Sequence, residues 1–320
     1  MLSYILSKVF QTLATFGLVV LGAFAMLRLA PGDPALAQAG VAANREQVEL
    51  IREQMGLNRP FTEQLWEWFS GAFTGDLGVS YADGAKVTEV IGTHVGPTLQ
   101  LVALTTALTI LLCVPLGIWT AVGTSRAARW LGNTVTVLGP AVPNFVVGIM
   151  LVLIFGWLVP GILPYYGYVS VREDFFGALS HTILPALALM TSGVAIIARV
   201  LRASIIETLN DDFVFVGTAL GVPPRRLLWT DVLRNSLVAA TTVFGLFLGV
   251  ALSGSVVLEN AFGIPGLGAL LVDSFDDRDY PVTIGTTLVI VAAVLLVNLV
   301  VDLLYLVLAP RVRFDLGVSS

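Results

Sequence analysis

Six long apolar runs constrain this chain more than any other feature of its sequence. They lie at Val9–Leu27, Thr98–Val122, Leu131–Leu158, Ile183–Ala198, Leu237–Leu258 and Val282–Leu308. A helix that crosses a membrane needs about 20 mostly apolar residues, and a barrel strand about half as many. In lipid only helices and closed barrels satisfy their own backbone hydrogen bonds. The runs are too long for barrel strands and do not alternate with period two, so they predict six transmembrane helices in an all-α, polytopic membrane protein. The fourth run is short because its helix continues past Arg199 into the cytoplasm. Charged residues make up 12% of the chain, against about 25% in a soluble domain. So few charges exclude a soluble enzyme, a disordered protein and a nucleic-acid binder. The net charge of −5 suggests no polyanionic partner. One cysteine, Cys113, and two histidines rule out an internal disulfide and make a structural zinc site untenable.

The cations orient the spans. With the N-terminus inside, Lys8, Arg126, Arg129, Arg199, Arg202, Arg225, Arg226, Arg234, Arg311 and Arg313 face the cytoplasm. Arg45, Arg52, Arg59, Lys86, Arg172 and Arg278 fall outside, with Arg28 at the outer end of the first helix. The short 123–130 loop carries two arginines and no acid, which favours an N-in, C-in arrangement. The first span is too apolar and too long for a signal peptide, although Ala35-Leu36-Ala37 mimics a cleavage site. After it, residues 31–96 predict a small amphipathic helical cap: charges at helical spacing precede Gly56, and Pro60 opens a second stretch with Leu65, Trp66, Trp68 and Phe69.

The chain has no G-x-x-x-x-G-K-[ST], no H-E-x-x-H and no G-x-S-x-G, and the glycines at 263–268 lack dinucleotide-binding spacing. No catalytic or metal-binding constellation emerges. Asp302 is the main charge within a span, and it reads as an interfacial group near Arg311. Neutral polar residues remain as pathway candidates: Asn144 beside a bend at Pro140 and Pro143, Thr191 and Ser192 on the fourth helix, and Gly249 and Ser253 on the fifth. Gly245, Gly249 and Ser253, four apart, mark either a close contact beside a path or ordinary helix packing.

The most informative stretch is 199–237, RVLRASIIETLNDDFVFVGTALGVPPRRLLWTDVLRNSL. Asn210 to Asp212 are good N-cap residues. Phe213, Val214, Val216 and Ala219 give a short helix an apolar side. Gly221 ends it, and Pro223-Pro224 start a new direction. Two membrane helices therefore hold a short cytoplasmic elbow between them, which either transmits a partner's movement to them or, as periodicity alone favours, merely floats on the lipid headgroups.

This elbow resembles the EAA loop of ABC-importer permeases in the dipeptide, oligopeptide and nickel family. The matching residues are Asp212-Phe213-Val214, Ala219, Gly221 and Leu233-Arg234-Asn235; Gly217 and Leu220 depart from the usual alanine and basic residue. The likeness extends along the chain to the B-type permease subunit: Leu29-Ala30-Pro31-Gly32-Asp33-Pro34, Arg52-Glu53-Gln54-Met55-Gly56-Leu57 with Arg59-Pro60, Gly75-Asp76-Leu77-Gly78, Pro143-Asn144-Phe145, His181-Thr182-Ile183-Leu184-Pro185-Ala186, Pro265-Gly266-Leu267-Gly268 and Arg278-Asp279-Tyr280-Pro281. The resemblance implies a type I importer fold in the cytoplasmic membrane of a bacterium or archaeon. It divides the chain into a first helix at 1–30, the cap at 31–96, a five-helix permease core at 97–310 with its coupling loop at 207–235, and a cytoplasmic tail at 311–320. It implies coupling to an ATPase through Asp212, Phe213, Val214, Ala219, Gly221, Arg225 and Arg226. It further implies a homologous second permease, two ATPase subunits that carry the ATP and magnesium, and an extracytoplasmic binding protein that meets the cap and Asp273, Asp276, Asp277 and Asp279. The chain itself binds no cofactor or metal on this reading. The implied cargo is a di- or oligopeptide, with nickel or glutathione as alternatives in the same architecture. A secondary carrier without an ATPase and a membrane scaffold without cargo are the competing classes.

Overall fold

The computed structural model describes residues 2–29, 32–40, 43–127, 130, 132, 134, 139 and 141–308. Nearly all of them are helical. In chain order the helices are α1 (Leu2–Leu29), α2 (Pro34–Ala39), α3 (Arg45–Gln54), α4 (Phe61–Thr74), α5 (Val87–Val122), α6 (Asn144–Leu153), α7 (Phe175–Thr208), α8 (Asp212–Ala219), α9 (Pro224–Leu227), α10 (Leu233–Phe262), α11 (Leu267–Asp276) and α12 (Tyr280–Leu308). Wider π-helical turns follow α6 and α9, at Ile154–Leu158 and Leu228–Val232.

Five helical segments are long and apolar enough to cross a membrane: Leu6–Met26, Val87–Val122, Phe175–Thr208, Pro224–Phe262 and Tyr280–Val301. The run expected at Leu131–Leu158 contributes the shorter apolar helix Asn144–Leu158. Pro140, the tail 311–320, the side chain of Asp302 and the bounds expected at 30 and 310 lie outside the described residues. The bound expected at 96 falls within α5, which starts well before its apolar run. Its added turns bury Val87 and Ile91, four residues apart on one helix face, and that burial offsets the cost of ordering them.

The chain forms two compact units, Met1–Leu99 with Gly263–Leu295, and Gln100–Phe262 with Leu296–Ser320. The first unit centres on Leu77, Val87, Ile91, Leu267 and Val282, with Trp68 and Ala72 of α4 packed against them. Within 31–96 the chain forms the helices α2, α3 and α4 and the start of α5. Asn44 opens α3 with a reciprocal capping box: its side-chain oxygen accepts from the Gln47 N–H at 2.8 Å, and Gln47 accepts from the Asn44 N–H at 3.0 Å. Two such donors satisfied together define the helix start. Residues distant in sequence are joined by polar pins. Asp279 is buried and accepts from the Ser80 hydroxyl at 2.5 Å and the Tyr81 N–H at 3.1 Å. Thr98 accepts the otherwise orphaned Leu267 N–H at the start of α11, at 2.8 Å. Asp279 is thus committed inside its own unit and is not an outward-facing partner residue, whereas Asp273, Asp276 and Asp277 are exposed.

In the second unit α7 packs against α10 and α6. Glycines set the approach of these helices. A Cβ at Gly193 would overlap the Phe247 ring, one at Gly148 the Leu258 side chain, and one at Gly245 the Val301 side chain. Gln100 is fully used: it donates to the Val169 carbonyl at 3.1 Å and the Thr182 hydroxyl at 2.9 Å, and accepts from the Tyr168 hydroxyl at 3.1 Å and the Val171 N–H at 3.2 Å.

Gly193→Leu forces a side chain into the space of Phe247 and is expected to destabilise the protein by about 1–3 kcal/mol; an unchanged melting temperature in detergent would refute this packing. A second expectation concerns the 79–86 hairpin. The Ala85 N–H donates to Asp83 at 3.0 Å, and this bond, with help from the Ser80 hydroxyl, holds the Asp83 carboxyl below its ordinary 3.8. A lowered folded-state pKa stabilises above the unfolded value and is lost as pH falls through the folded one. Hydrogen-exchange protection at Ala85 should therefore persist from neutral pH to 5 and drop only below 3.8.

Candidate functional site

The elbow at 199–237 takes the form its sequence predicts. α7 runs without interruption to Thr208, and Asp211 is the N-cap residue of α8. After α8, Gly221 adopts φ +80°. Its N–H donates to the Thr218 carbonyl at 3.0 Å, and the Val222 N–H to the Gly217 carbonyl at 3.0 Å. This pair of bonds is the Schellman closure, which needs a left-handed residue at this position. Pro224 then occupies the first turn of α9.

Only a narrow seam of the elbow faces inward. Val214 and Leu227 are buried, and a Cβ at Gly217 would come within 2.8 Å of Leu227. Gly217 thus stands in place of alanine because Leu227 fills the space. Ser236 donates to Thr208 at 3.3 Å, tying the first turn of α10 to the last turn of α7. The outer surface carries Asp212, Phe213, Ala219, Arg225 and Arg226, all exposed. It also carries Phe215 and Trp229, which the sequence reading did not single out, and Leu220, noted there only as standing where a basic residue is usual; they are 76%, 60% and 78% exposed. Helical periodicity alone misses them because almost every position of α8 except 214 and 217 faces out. Of the expected coupling set, Val214 alone is turned inward.

The pathway candidates form two pairs. The Thr191 hydroxyl lies 3.1 Å from the side-chain oxygen of Asn144 and also reaches the Ala188 carbonyl at 2.8 Å. Ser253 donates to the Gly249 carbonyl at 3.2 Å; Ser253 is exposed and Gly249 buried. Ser192 is half-buried beside Thr191. Among the described residues no hydrogen bond joins the two pairs. An apolar cavity of about 520 Å³ adjoins Thr191, with Val142, Val147, Met150, Met190 and Val194 in its wall.

The structure adds one acid. α10 extends to Phe262, past the expected end of the fifth span, so Glu259 lies within the helix and is fully buried, 3.0 Å from the Ser255 hydroxyl. The four-residue spacing of Ser255 and Glu259 is the signal that a longer span estimate would have picked up. Both histidines are spent locally. Nδ1 of His94 lies 2.7 Å from the Val90 carbonyl and Nδ1 of His181 lies 2.9 Å from the Gly177 carbonyl. A carbonyl only accepts, so Nδ1 carries the proton in each.

Residues 113–314 match the family of binding-protein-dependent transport system inner membrane components, and residues 1–102 match the N-terminal region of that family. The chain belongs to this family. It is 35% identical over 316 residues to a probable peptide ABC transporter permease protein, y4tP, of Sinorhizobium fredii, covering 97% of this chain and 99% of that one. It is also 35% identical over 318 residues to the glutathione transport system permease protein GsiC of Escherichia coli K12, covering 98% of this chain and all of the relative. The GsiC protein of Shigella dysenteriae is equally similar. The chain is therefore a multi-pass membrane permease of the peptide/nickel type, a transport subunit that works with ATPase and substrate-binding partners.

Replacing Gly221 by alanine puts a Cβ into a left-handed conformation at a cost of roughly 1–2 kcal/mol. Hydrogen exchange across residues 214–222 should accelerate while α7 and α10 keep their protection; unchanged exchange in the elbow would contradict the closure described.

Proposed function

We propose that this chain is the translocating subunit of an ATP-driven importer of short peptides, glutathione being one member of that class. It crosses the cytoplasmic membrane six times with both termini inside. The cation distribution supports that orientation, and the shorter apolar helix Asn144–Leu158 supports a third span between α5 and α7. A second, homologous permease completes the pathway, two ATPases on the cytoplasmic side supply hydrolysis, and an extracytoplasmic protein delivers cargo. The names of these relatives favour peptide or glutathione cargo.

The observation that carries the coupling mechanism is the outer face of the elbow. Phe213, Phe215, Val216 and Leu220 expose apolar surface where no lipid tail covers it on this topology. Fully burying one such side chain contributes about 1.5–3 kcal/mol, so this face supports docking into a groove of an ATPase, with Asp212, Arg225 and Arg226 at its rim fixing orientation. Val214 acts from within, holding α8 against α9. The ATPases close on ATP, the elbow follows, and α7 and α10 move as rigid bodies about it. Asn144, Thr191, Ser192, Gly249 and Ser253 supply neutral polar groups along the path. A zwitterionic peptide passes such a path without tight binding, because no uncompensated charge holds it.

The paired change Phe215→Asp and Leu220→Asp leaves the buried seam intact. Peptide-stimulated ATP hydrolysis and uptake by the assembled transporter should fall at least about tenfold, the equivalent of 1.4 kcal/mol of lost docking, while the chain still reaches the membrane. Full uptake by that variant would refute the docking role. Uptake by the wild-type chain alone, driven by an ion gradient, would establish the secondary-carrier class instead.

A further inference from the structure

Helix α4 (Phe61–Thr74) carries three separate stripes. The first faces inward: Trp68 and Ala72 pack on the core of the first unit, and Gln64, Trp68 and Gly71 line a cavity of about 400 Å³. The second is polar. Glu63, Glu67, Ser70 and Thr74, at i, i+4, i+7 and i+11, are all exposed, and Glu67 is paired with Arg59 at 2.6 Å. The third is Trp66, Phe69 and Phe73, which fall within about 60° of one another at 100° per residue. Trp66 and Phe73 are 76% and 86% exposed. The Phe73 ring lies 6.2 Å from Phe69, which stands edge-on to Trp68 at 5.8 Å. A surface helix of a globular protein has two faces, one for the core and one for water. The aromatic stripe belongs to neither, and apolar surface of this kind in water is unfavourable, so α4 calls for a second apolar phase.

The position of α4 within the first unit identifies that phase. Phe61, its first residue, meets Phe24 of α1 with ring centroids 5.4 Å apart. Phe24 lies within the apolar span Leu6–Met26, and Ile284 within the span Tyr280–Val301. Both stand in the wall of the cavity that Gln64, Trp68 and Gly71 line. From Phe61 to Gly71, about 15 Å of helix, α4 therefore stays beside the ends of two membrane spans. The helix runs at the depth of the lipid headgroups and not out in bulk water. The apolar surface of α1 continues to that level, with Leu21 and Met26 exposed. Trp and Phe suit this boundary, where one side is apolar and the other wet. Residues 31–96 hold nine acids and four bases, so anionic headgroups repel the cap and ring burial is the attractive contribution.

We propose that α4 is an interfacial anchor: the stripe of Trp66, Phe69 and Phe73 inserts among the headgroups and upper acyl chains of the bilayer beside α1 and α12, with Glu63, Glu67, Ser70 and Thr74 in water. Trp68 and Ala72 hold the same helix from the protein side, so lipid and core together keep the cap at one height on the span ends. The assignment rests on α1 and α12 crossing the membrane and needs nothing of the cargo or the ATPases.

The test is spin-label accessibility on the assembled transporter in nanodiscs of pure phosphatidylcholine. The one native cysteine, Cys113, is buried and is removed as Cys113→Ala. Trp66→Cys, Phe73→Cys, Glu63→Cys and Ser70→Cys are then labelled one at a time, each checked for intact assembly by size-exclusion chromatography. Labels at 66 and 73 should favour dissolved oxygen over a water-soluble nickel chelate at least about fivefold more than labels at 63 and 70. A second measurement needs no label: brominated phosphatidylcholine should quench at least about half of the fluorescence that distinguishes the wild type from Trp66→Phe. High chelate access at all four positions, with no such quenching, places the stripe in water and overturns the anchor. Shielding of 66 and 73 from both reagents means that a protein surface covers the stripe, and overturns it equally. So does a contrast that appears only when the extracytoplasmic binding protein is added, which would make the stripe a docking site for that protein.

Discussion

A lipid interior offers no partner to a backbone N–H, a carbonyl or a hydroxyl, and that constraint sorts every polar residue in the spans. Most hydroxyls meet it within their own helix. Thr105 donates to Leu101, Thr109 to Thr105, Thr120 to Leu116 and Thr182 to Ala178, each four residues back at 2.7–2.8 Å. Such groups are neutralised by the helix that carries them and have little left for a passing solute. The polar groups that reach other helices are fewer: Gln100 to the 168–171 loop and α7, Thr191 to Asn144, and Ser236 to Thr208. Polar composition of a span is therefore a poor guide to a pathway. What matters is whether the hydroxyl has already been spent.

Where polar groups pin distant segments, packing does the rest. Asp279 reaches Ser80 across 199 positions of sequence, and Thr98 reaches Leu267 across 169. Between the pins lie apolar side chains and glycines, such as Gly285, where a Cβ would come within 2.7 Å of Val87. A carboxylate that takes a hydroxyl and backbone N–H groups gives a single register to the segments it joins, whereas an apolar contact alone tolerates sliding.

These facts explain what was legible in the sequence. Local signals carried through: the apolar runs at α1, α5, α7, α10 and α12, the helical cap with its break at Pro60, and the elbow with Gly221 at its end all follow from composition and short-range capping chemistry. Long-range pairings did not. Asp279 looks like one more acid in the row Asp273, Asp276, Asp277 until the fold brings Ser80 to it. Glu259 looks like a loop residue because the apolar run ends at Leu258, and only tertiary burial carries α10 one more turn. The outward turn of Phe215 and Leu220 was likewise invisible, because apolar residues in a short helix are ordinarily read as its buried side.

The elbow shows why those outward residues and the inward seam belong to one device. A lever transmits force only if it is stiffer than the load it moves. A short helix closed by Gly221 alone would flex at that glycine, since αL and αR geometries are both open to it. The seam of Val214, Gly217 and Leu227 and the Thr208–Ser236 bond remove that freedom from within. With the inner face used up in this way, the apolar residues left on α8 stay exposed among the described residues. Apolar surface held rigidly in water is costly to the free subunit, and it becomes favourable only when a partner covers it. On the proposed mechanism the features that stiffen the lever are thus also what leave Phe215 and Leu220 available as its grip, so grip and stiffness are lost together when the seam is disturbed and separately when only the outer face is changed.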